Sequence, residues 1–218
     1  MTARGRLASI GIAGAVAAAF ATQVPLSAHR LDEYLQATRL SVDVDRVGLE
    51  IDLTPGVSIA REVLGWIDID GDGHISGAEA DAYARQVLRS VTLSVDGRPV
   101  PIALTENRVP PVEEMDLGVG TIQLRAIARM PAVSGGQHRV LFSNTHHPER
   151  SVYLVNALVP SDSRIQIAGQ QRDCAQHGMM LTYDVTASAQ QTQPYWLVAI
   201  VVMAAALGVR RKYAKGSR

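Results

Sequence analysis

Carboxylate side chains alternate with small or apolar residues in one short stretch, residues 68–79. It reads DIDGDGHISGAE, so an acid stands at the first, third and fifth positions and a glutamate closes the stretch. Ca²⁺ is a hard cation that takes about six to eight oxygen ligands, and a peptide loop must bend around the ion to supply them. A glycine in the middle permits the sharp turn that a side chain would resist. The types and spacing of these residues predict a Ca²⁺ site.

Each oxygen donor of this predicted site has its own role. The three aspartates offer one carboxylate oxygen each. His74 contributes its backbone carbonyl, so its imidazole points away from the ion, and Ser76 acts through a water molecule. Glu79 closes the site with both oxygens. The predicted metal ligands are, in chain order, Asp68, Asp70, Asp72, His74, Ser76 and Glu79.

This loop resembles that of the EF-hand family, in which two helices flank twelve ligand-bearing positions. Apolar residues recur at helical spacing in residues 57–67 and again in residues 80–91, which predicts an amphipathic helix on each side. Ser76 and Glu79 also have the spacing of a capping box at the start of the second helix. The resemblance implies that the helix pair exists to hold the ion.

The EF-hand resemblance covers residues 57–91 only. Family members usually occur in pairs, joined through the residue at the eighth position of the loop, which is Ile75 in this sequence. The sequence holds one such loop. We therefore expect Ile75 to pack on the rest of the domain or on another copy of the chain.

Most of the remaining central region is predicted to be β-structure. The pairs Asp45-Arg46 and Asp96-Gly97 each separate two segments in which apolar and polar residues alternate, as in β-hairpins. About nine short strands of this kind, punctuated by glycine and proline, predict a mainly β fold, an antiparallel β-sandwich with the helix–loop–helix inserted. The predicted strands are residues 35–44, 47–53, 91–95, 100–104, 121–128, 140–143, 152–159, 165–167 and 180–185.

The N-terminal region is predicted to be a targeting segment rather than part of the fold. Arginines precede a short apolar stretch, which is the pattern of a secretory signal peptide over residues 1–28. Cleavage after Ala28 has the better spacing and gives a mature chain that begins at His29. Cleavage after Ala21 and a retained N-terminal anchor are the alternatives.

The C-terminal region is predicted to be a membrane anchor. Residues 194–209 form an apolar run that starts with an aromatic pair, and the basic residues of segment 210–218 follow it at once. Aromatic and cationic residues favour the two interfaces of a bilayer, with the cations inside. The run is short, about 22 Å as a helix, and a buried core helix is the alternative. A polar linker, residues 187–193, would join this transmembrane helix to an outward-facing domain, residues 29–186, at the inner membrane.

Composition limits the classes of function. The formal net charge is zero and the isoelectric point is about 7.0, so we expect no nucleic-acid partner. No nucleophile elbow, phosphate loop, dinucleotide fingerprint or zinc-protease helix is present, which favours a protein that is not an enzyme. The single cysteine, Cys174, has no partner for an internal disulfide and is expected to be buried.

A weaker resemblance covers more of the chain. An exported start that reads AHRLDEYLQ over residues 28–36, followed by strands, the acidic loop and the Asp96-Gly97 hairpin, resembles the outer domain of uncharacterised bacterial membrane proteins. Some of those are similar to HupE/UreJ-type proteins associated with nickel permeases. This chain has one terminal apolar segment in place of a permease bundle, so the resemblance does not imply transport.

The sequence therefore predicts an exported, membrane-anchored, Ca²⁺-binding domain. One alternative is a periplasmic accessory protein for Cu²⁺ or Ni²⁺ that binds the metal through the amine and imidazole of His29. The remaining histidines outside the loop, His138, His146, His147 and His177, are candidates to complete such a site. Another alternative is an accessory subunit of a membrane transport complex, in which the ion is purely structural.

Overall fold

Alternation of buried and partly exposed side chains marks the strands. Every second residue is buried along β1 (Tyr34–Val42) and along β2 (Arg46–Pro55). Successive side chains of a strand point to opposite faces, so one face of each strand turns to the core. The remaining strands are β3 (Val91–Val95), β4 (Arg98–Pro99), β5 (Ile102–Arg108), β6 (Ile122–Arg129), β7 (Gly136–Asn144), β8 (Ser151–Ala157), β9 (Ile165–Arg172) and β10 (Gly178–Val185).

The computed structural model describes residues 32–186, in which the strands form two five-stranded sheets. The first sheet has the order β5-β6-β2-β1-β8 and the second has the order β4-β3-β7-β10-β9. Apolar residues of both sheets belong to one buried cluster. The prediction of a mainly β fold is confirmed.

One pairing departs from the predicted antiparallel arrangement. β1 and β8 are parallel, with Tyr34 opposite Ser151, whereas the other pairings of the described strands are antiparallel. The prediction of an antiparallel sandwich is wrong at this point. The two strands lie far apart along the chain, and no turn between them sets their direction.

The turn at Asp96-Gly97 forms as predicted, but the strand after it is β4 (Arg98–Pro99), and most of the predicted partner, residues 100–104, belongs to β5 in the other sheet. Asp96 has φ of 51° and Gly97 has φ of 77°. A two-residue hairpin loop of type I′ needs positive φ at both positions, which aspartate and glycine tolerate best. The pairing of Ser94 with Pro99 and of Val95 with Arg98 continues the hairpin on both sides.

Three helices occur in the described residues, at bounds that differ from those predicted. They are α1 (Ala60–Ile67), α2 (Gly77–Arg89) and α3 (Val112–Asp116). α2 begins before residue 80 because a cap at Ser76 supports its first turn, and it ends before Val91 because that residue starts β3. The short α3 was not predicted, and its Met115 is fully buried.

The strands run between two ends of the sandwich. At the end that we call the helical end, Tyr83 of α2 bonds to Tyr34 at the start of β1, and Asn144 at the end of β7 donates to Gln36 across the sheets at 2.8 Å. β10 runs away from this end. Thr186, the last described residue, donates to the carbonyl of Arg164 at the opposite end, which we call the C-terminal end.

Several predictions fall on residues outside the described range. They concern the signal peptide (1–28), His29, the linker (187–193), the transmembrane helix (194–209) and the basic tail (210–218). Within residues 32–186, no helix has the length and apolar character needed to cross a membrane. Cys174, predicted to be buried, is exposed, because it lies in the turn between β9 and β10.

Candidate metal centre

Two helix ends fix the acidic loop in place. α1 ends at Ile67, and the backbone N–H of Asp68 donates to the carbonyl of Leu64 at 2.8 Å. At the other side, Ser76 caps α2: its hydroxyl accepts from the backbone N–H of Glu79 at 3.3 Å, and the Glu79 carboxylate accepts from the Ser76 backbone N–H at 2.9 Å. The predicted capping box is confirmed.

Asp68 organises the first half of the loop. One of its carboxylate oxygens accepts from the backbone N–H of Gly71 at 2.8 Å and the other accepts from that of Gly73 at 3.0 Å. The two glycines have φ of 71° and 82°. Nothing crowds the position of an added Cβ at either site, so the need for glycine lies in the backbone conformation.

Two further aspartates continue this curvature. Asp70 Oδ1 accepts from the backbone N–H of Asp72 at 3.2 Å, and Asp72 Oδ1 accepts from that of His74 at 2.7 Å. Each bond joins a side chain to an amide two residues later, which is the geometry of an Asx turn. The curvature of the loop is therefore supported by hydrogen bonds from its own amides to its own carboxylates.

Three carboxylates converge in this loop. Oxygen atoms of Asp68, Asp70 and Glu79 lie within 4.8 Å of one another. No other set of three histidine, cysteine, aspartate or glutamate side chains in residues 32–186 meets in this way. The structure thus brings together three of the six predicted ligands. The side chains of Asp72 and His74 lie in the same loop but outside this close group, and the Ser76 hydroxyl donates to Glu79 at 2.7 Å.

The carboxylate of Glu79 reaches across the loop. Its Oε2 accepts from the Ser76 hydroxyl at 2.7 Å as well as from the Ser76 amide, and its Oε1 accepts from the amide of Ile69 at 2.8 Å. The hydrogen bonds from Ser76, followed by the one from Ile69, lower the pKa of Glu79 to about 2. Glu79 is therefore ionised at every pH at which the protein is expected to work.

Ile75 packs on the domain itself. Its side chain is half-buried and contacts the apolar core, as does that of Val109. The two residues line a cleft of about 300 Å³ between the loop and the segment before α3. Ile75 therefore contacts the rest of the domain, which is one of its two expected partners.

The histidines do not form a common site. Their polar or aromatic partners are Asp96 for His138, Tyr83 for His146, Trp66 for His147 and Asp173 for His177. His138 lies beside the Asp96-Gly97 turn, at the C-terminal end, whereas His146 and His147 lie at the helical end. His29, the first of the predicted metal-binding histidines, lies outside the described residues.

A buried polar network around Tyr83 of α2 has no counterpart among the predictions from the sequence. The hydroxyls of Tyr34 and Tyr83 are 2.7 Å apart, and the Tyr83 hydroxyl is 3.1 Å from Nε2 of His146. All three side chains are at most 5% exposed. Burial raises the pKa of both tyrosines and lowers that of His146 to about 3, with the nearby His147 adding to the second effect. The network therefore holds a neutral histidine.

The same network continues into the sheets. The backbone carbonyl of His146 accepts from Gln36 Nε2 at 2.6 Å, from the Ser151 hydroxyl at 3.1 Å and from the Tyr153 hydroxyl at 2.8 Å. Asn144 Oδ1 accepts from the backbone N–H of His146 at 3.0 Å. Of these bonds, the one from Gln36 joins residues far apart in the sequence, whereas Asn144, Ser151 and Tyr153 lie within seven residues of His146. They tie α2, through Tyr83, to the end of both sheets.

Comparisons of the chain with protein-family models, with curated proteins and with solved structures gave no match.

The interpretation of the loop depends on its residues and their geometry. Those residues supply oxygen donors, a negative charge and a bend that is supported by hydrogen bonds within the loop. This donor set suits a hard divalent cation better than a transition metal, which favours nitrogen or sulfur ligands.

Proposed function

We propose that the chain is a membrane-anchored Ca²⁺-binding protein whose single EF-hand, the helix–loop–helix from α1 to α2, binds one Ca²⁺. The observation that supports this most is the convergence of Asp68, Asp70 and Glu79 within 4.8 Å in a loop of the expected spacing. The predicted signal peptide and C-terminal apolar run support an outward-facing domain at the cell envelope.

Binding exchanges hydrogen bonds for metal contacts. Both carboxylate oxygens of Glu79 accept hydrogen bonds, Oε2 from Ser76 and Oε1 from Ile69. A bidentate contact with Ca²⁺ replaces some of those donors, while Asp72 and the carbonyl of His74 complete the oxygen shell. The lost hydrogen bonds offset part of the gain. This exchange, together with the unpaired state of the EF-hand, favours weak binding.

The ion orders the loop rather than opening a groove. Four carboxylates in one short loop repel one another, and Ca²⁺ removes that repulsion. α2 is tied to the sheets by the Tyr83–His146 bond, and Ile75 is packed against the core. A large swing of α2 would break a buried network, which carries a high cost. We therefore assign the ion a structural role, which suits either a stand-alone module or a subunit of a membrane complex.

Calorimetry on the purified chain is expected to show one Ca²⁺ bound per molecule. Outward-facing modules commonly bind Ca²⁺ with Kd of about 10⁻⁴–10⁻³ M, and we expect this range with Mg²⁺ much weaker. At free Ca²⁺ of about ten times Kd, the linked gain in folding free energy is about 1.4 kcal/mol. That gain raises the melting temperature by roughly 3–6 °C. Absence of heat at millimolar Ca²⁺, or tighter binding of Cu²⁺ or Ni²⁺ than of Ca²⁺, would contradict the proposal.

Removal of Ca²⁺ with a chelator is expected to loosen the loop before the sandwich. Without the ion, repulsion among the carboxylates frays the loop, whereas the sheets keep their own apolar core. Hydrogen exchange should therefore speed up for amides of residues 68–79 and for the start of α2, with strands such as β2 and β6 still protected. Exchange that rises equally everywhere would show that the ion organises the whole domain, and unchanged exchange would refute an ordering role.

A further inference from the structure

We propose that His138 is a pH-sensitive clasp, which holds the segment before β7 to the β3–β4 turn while both nitrogens of its ring carry a proton. We call this segment, residues 130–135, the strap. The clasp lies at the C-terminal end of the sandwich. It is independent of the acidic loop, which lies at the helical end, and of the proposed membrane anchor.

Both ring nitrogens of His138 face oxygen atoms that accept hydrogen bonds. Nδ1 is 2.8 Å from a carboxylate oxygen of Asp96, and Nε2 is 2.8 Å from the backbone carbonyl oxygen of Ser134. A neutral imidazole has one N–H and one bare nitrogen, so it can donate to only one of these two oxygens. The side chain of His138 is only 11% exposed, which limits replacement of a lost partner by water. The geometry therefore favours the doubly protonated, positively charged ring.

The carboxylate of Asp96 is an acceptor on both of its oxygens. Besides the bond from His138, it accepts from the backbone N–H of Arg139 at 2.9 Å. Partial burial would raise the pKa of Asp96, but the bonds from His138 and Arg139 outweigh it and lower that pKa. Asp96 is thus ionised near neutral pH. The Arg139 side chain points to the opposite face of β7 from His138, because successive side chains of a strand alternate.

The other groups around the ring of His138 leave this preference in place. On β10, the charge of Asp184 also favours the protonated ring. Tyr183, whose ring centroid is 5.6 Å away, is uncharged, because burial raises the pKa of Tyr183 to about 12. Arg98 and Arg129 line the same cleft as His138. Both arginines are exposed, so solvent screens their repulsion of the charged ring.

The clasp is expected to open as the pH rises. Partial burial alone would lower the pKa of His138, but the bonds to Asp96 and Ser134 outweigh it and raise that pKa above 6.5. Below about pH 6.5 the bonds contribute their full stability, and this contribution is lost as the pH rises through the folded-state pKa. The remaining N–H should stay with the charged acceptor, Asp96, so the bond to Ser134 is the one that breaks.

The strap has separate ties to the two sheets. The backbone N–H groups of Met130 and Val133 donate to carbonyls of the β1–β2 turn, in the first sheet, at 2.9 and 2.7 Å. The bond between Ser134 and His138 ties the strap to the second sheet. The next two residues are Gly135 and Gly136, which allow many backbone conformations. Loss of the bond at Ser134 therefore frees the second half of the strap.

The strap forms one wall of a cleft of about 520 Å³. Segment 95–101 forms the facing wall, and the apolar side chains between the walls include Val95, Val100 and Val133. Release of Ser134 lets the strap move away from the facing wall. Access to the apolar side chains of this cleft should therefore increase as the pH rises.

Histidine NMR and amide hydrogen exchange on the full chain in detergent test the clasp. At about pH 6, both ring nitrogens of His138 should be protonated, and the pKa should lie above 6.5. Between about pH 6 and about pH 9, exchange at the amides of Met130 and Val133 should accelerate about 10-fold after correction for its intrinsic pH dependence. This factor corresponds to one lost hydrogen bond to a charged group.

Three variants separate the clasp from general effects of pH. H138Q cannot carry the charge, so the strap amides should exchange fast at both pH values. H177Q makes the same change at a half-exposed histidine of the helical end and should keep the pH dependence of wild type at the strap. D96N keeps the shape of the side chain but removes its charge. It should lower the pKa of His138 by about one unit or more and shift the opening to lower pH.

Several outcomes would overturn the clasp. A pKa of His138 at or below its ordinary value is one, and a ring with a single protonated nitrogen at about pH 6 is another. Corrected exchange at the strap that is equal at both pH values, or that changes in H138Q as it does in wild type, would do the same. If H138Q does not fold, D96N decides: opening at the pH seen for wild type would show that Asp96 does not hold the proton on His138.

Discussion

Replacing Glu79 with glutamine is expected to weaken Ca²⁺ binding on the order of 100-fold, about 2.7 kcal/mol of binding free energy. Glutamine keeps the shape of the side chain and can still accept from the Ser76 amide, so the capping box survives. It loses the charge and the bidentate contact. Because the pKa of Glu79 is about 2, the wild-type carboxylate stays ionised above that pH, and proton competition at Glu79 does not hide the effect near neutral pH.

Two further variants serve as controls for the measurement on E79Q. E114Q makes the same chemical change at an exposed position of α3 and should leave the calorimetric Kd unchanged. S76A removes the cap, costs about 1 kcal/mol of stability and should weaken Ca²⁺ binding less than E79Q does. An E79Q protein that binds Ca²⁺ as tightly as wild type would show that Glu79 is not a ligand. Equal losses in S76A and E79Q would contradict the roles assigned to the two residues.

Acid is expected to destabilise the domain through His146. The folded-state pKa of His146 is about 3, below its ordinary value of 6.5, so between these values the unfolded chain binds a proton that the folded chain does not. Stability is therefore fully present above about pH 6.5 and falls as the pH drops, by about 1.4 kcal/mol per unit. From pH 7.5 to 4.5, His146 should account for a loss of about 2–3 kcal/mol.

Urea unfolding in the presence of a chelator, at pH 7.5 and at pH 4.5, measures this loss without interference from Ca²⁺. The variant H146Q cannot titrate and should lose about 2–3 kcal/mol less than wild type between the two pH values. H177Q makes the same chemical change at a half-exposed histidine and serves as the control for the substitution itself. If H146Q loses as much unfolding free energy between the two pH values as wild type does, the acid response belongs to other groups.

The local features that the sequence predicts correctly each depend on a few neighbouring residues. The Asp96-Gly97 turn forms because two adjacent residues tolerate positive φ, and the capping box forms because Ser76 and Glu79 are three residues apart. The acidic loop bends as its spacing implies. In each case, the partners are close in sequence, so residue type and spacing together specify the local geometry.

What the sequence predicts poorly depends on distant or solvent-facing residues. β9 was predicted over residues 165–167 but extends to Arg172, because the outer strand of a sheet tolerates polar side chains that carry no apolar alternation. The Tyr34–Tyr83–His146 network joins positions separated by 49 and 63 residues. Its members look like ordinary core tyrosines and a turn histidine until the tertiary fold brings them together.

The parallel pairing of β1 with β8 also shapes how the chain folds. Tyr34 meets Ser151 and Leu40 meets Ala157, so one flank of β1 gains its partner only after most of the domain has been synthesised. Contacts of such long separation carry a loop-closure cost before they yield any stability, and they slow folding. Until then, the β1–β2 hairpin exposes an unpaired strand edge to other molecules. The interval before β8 arrives is therefore when the nascent chain is most prone to aggregate.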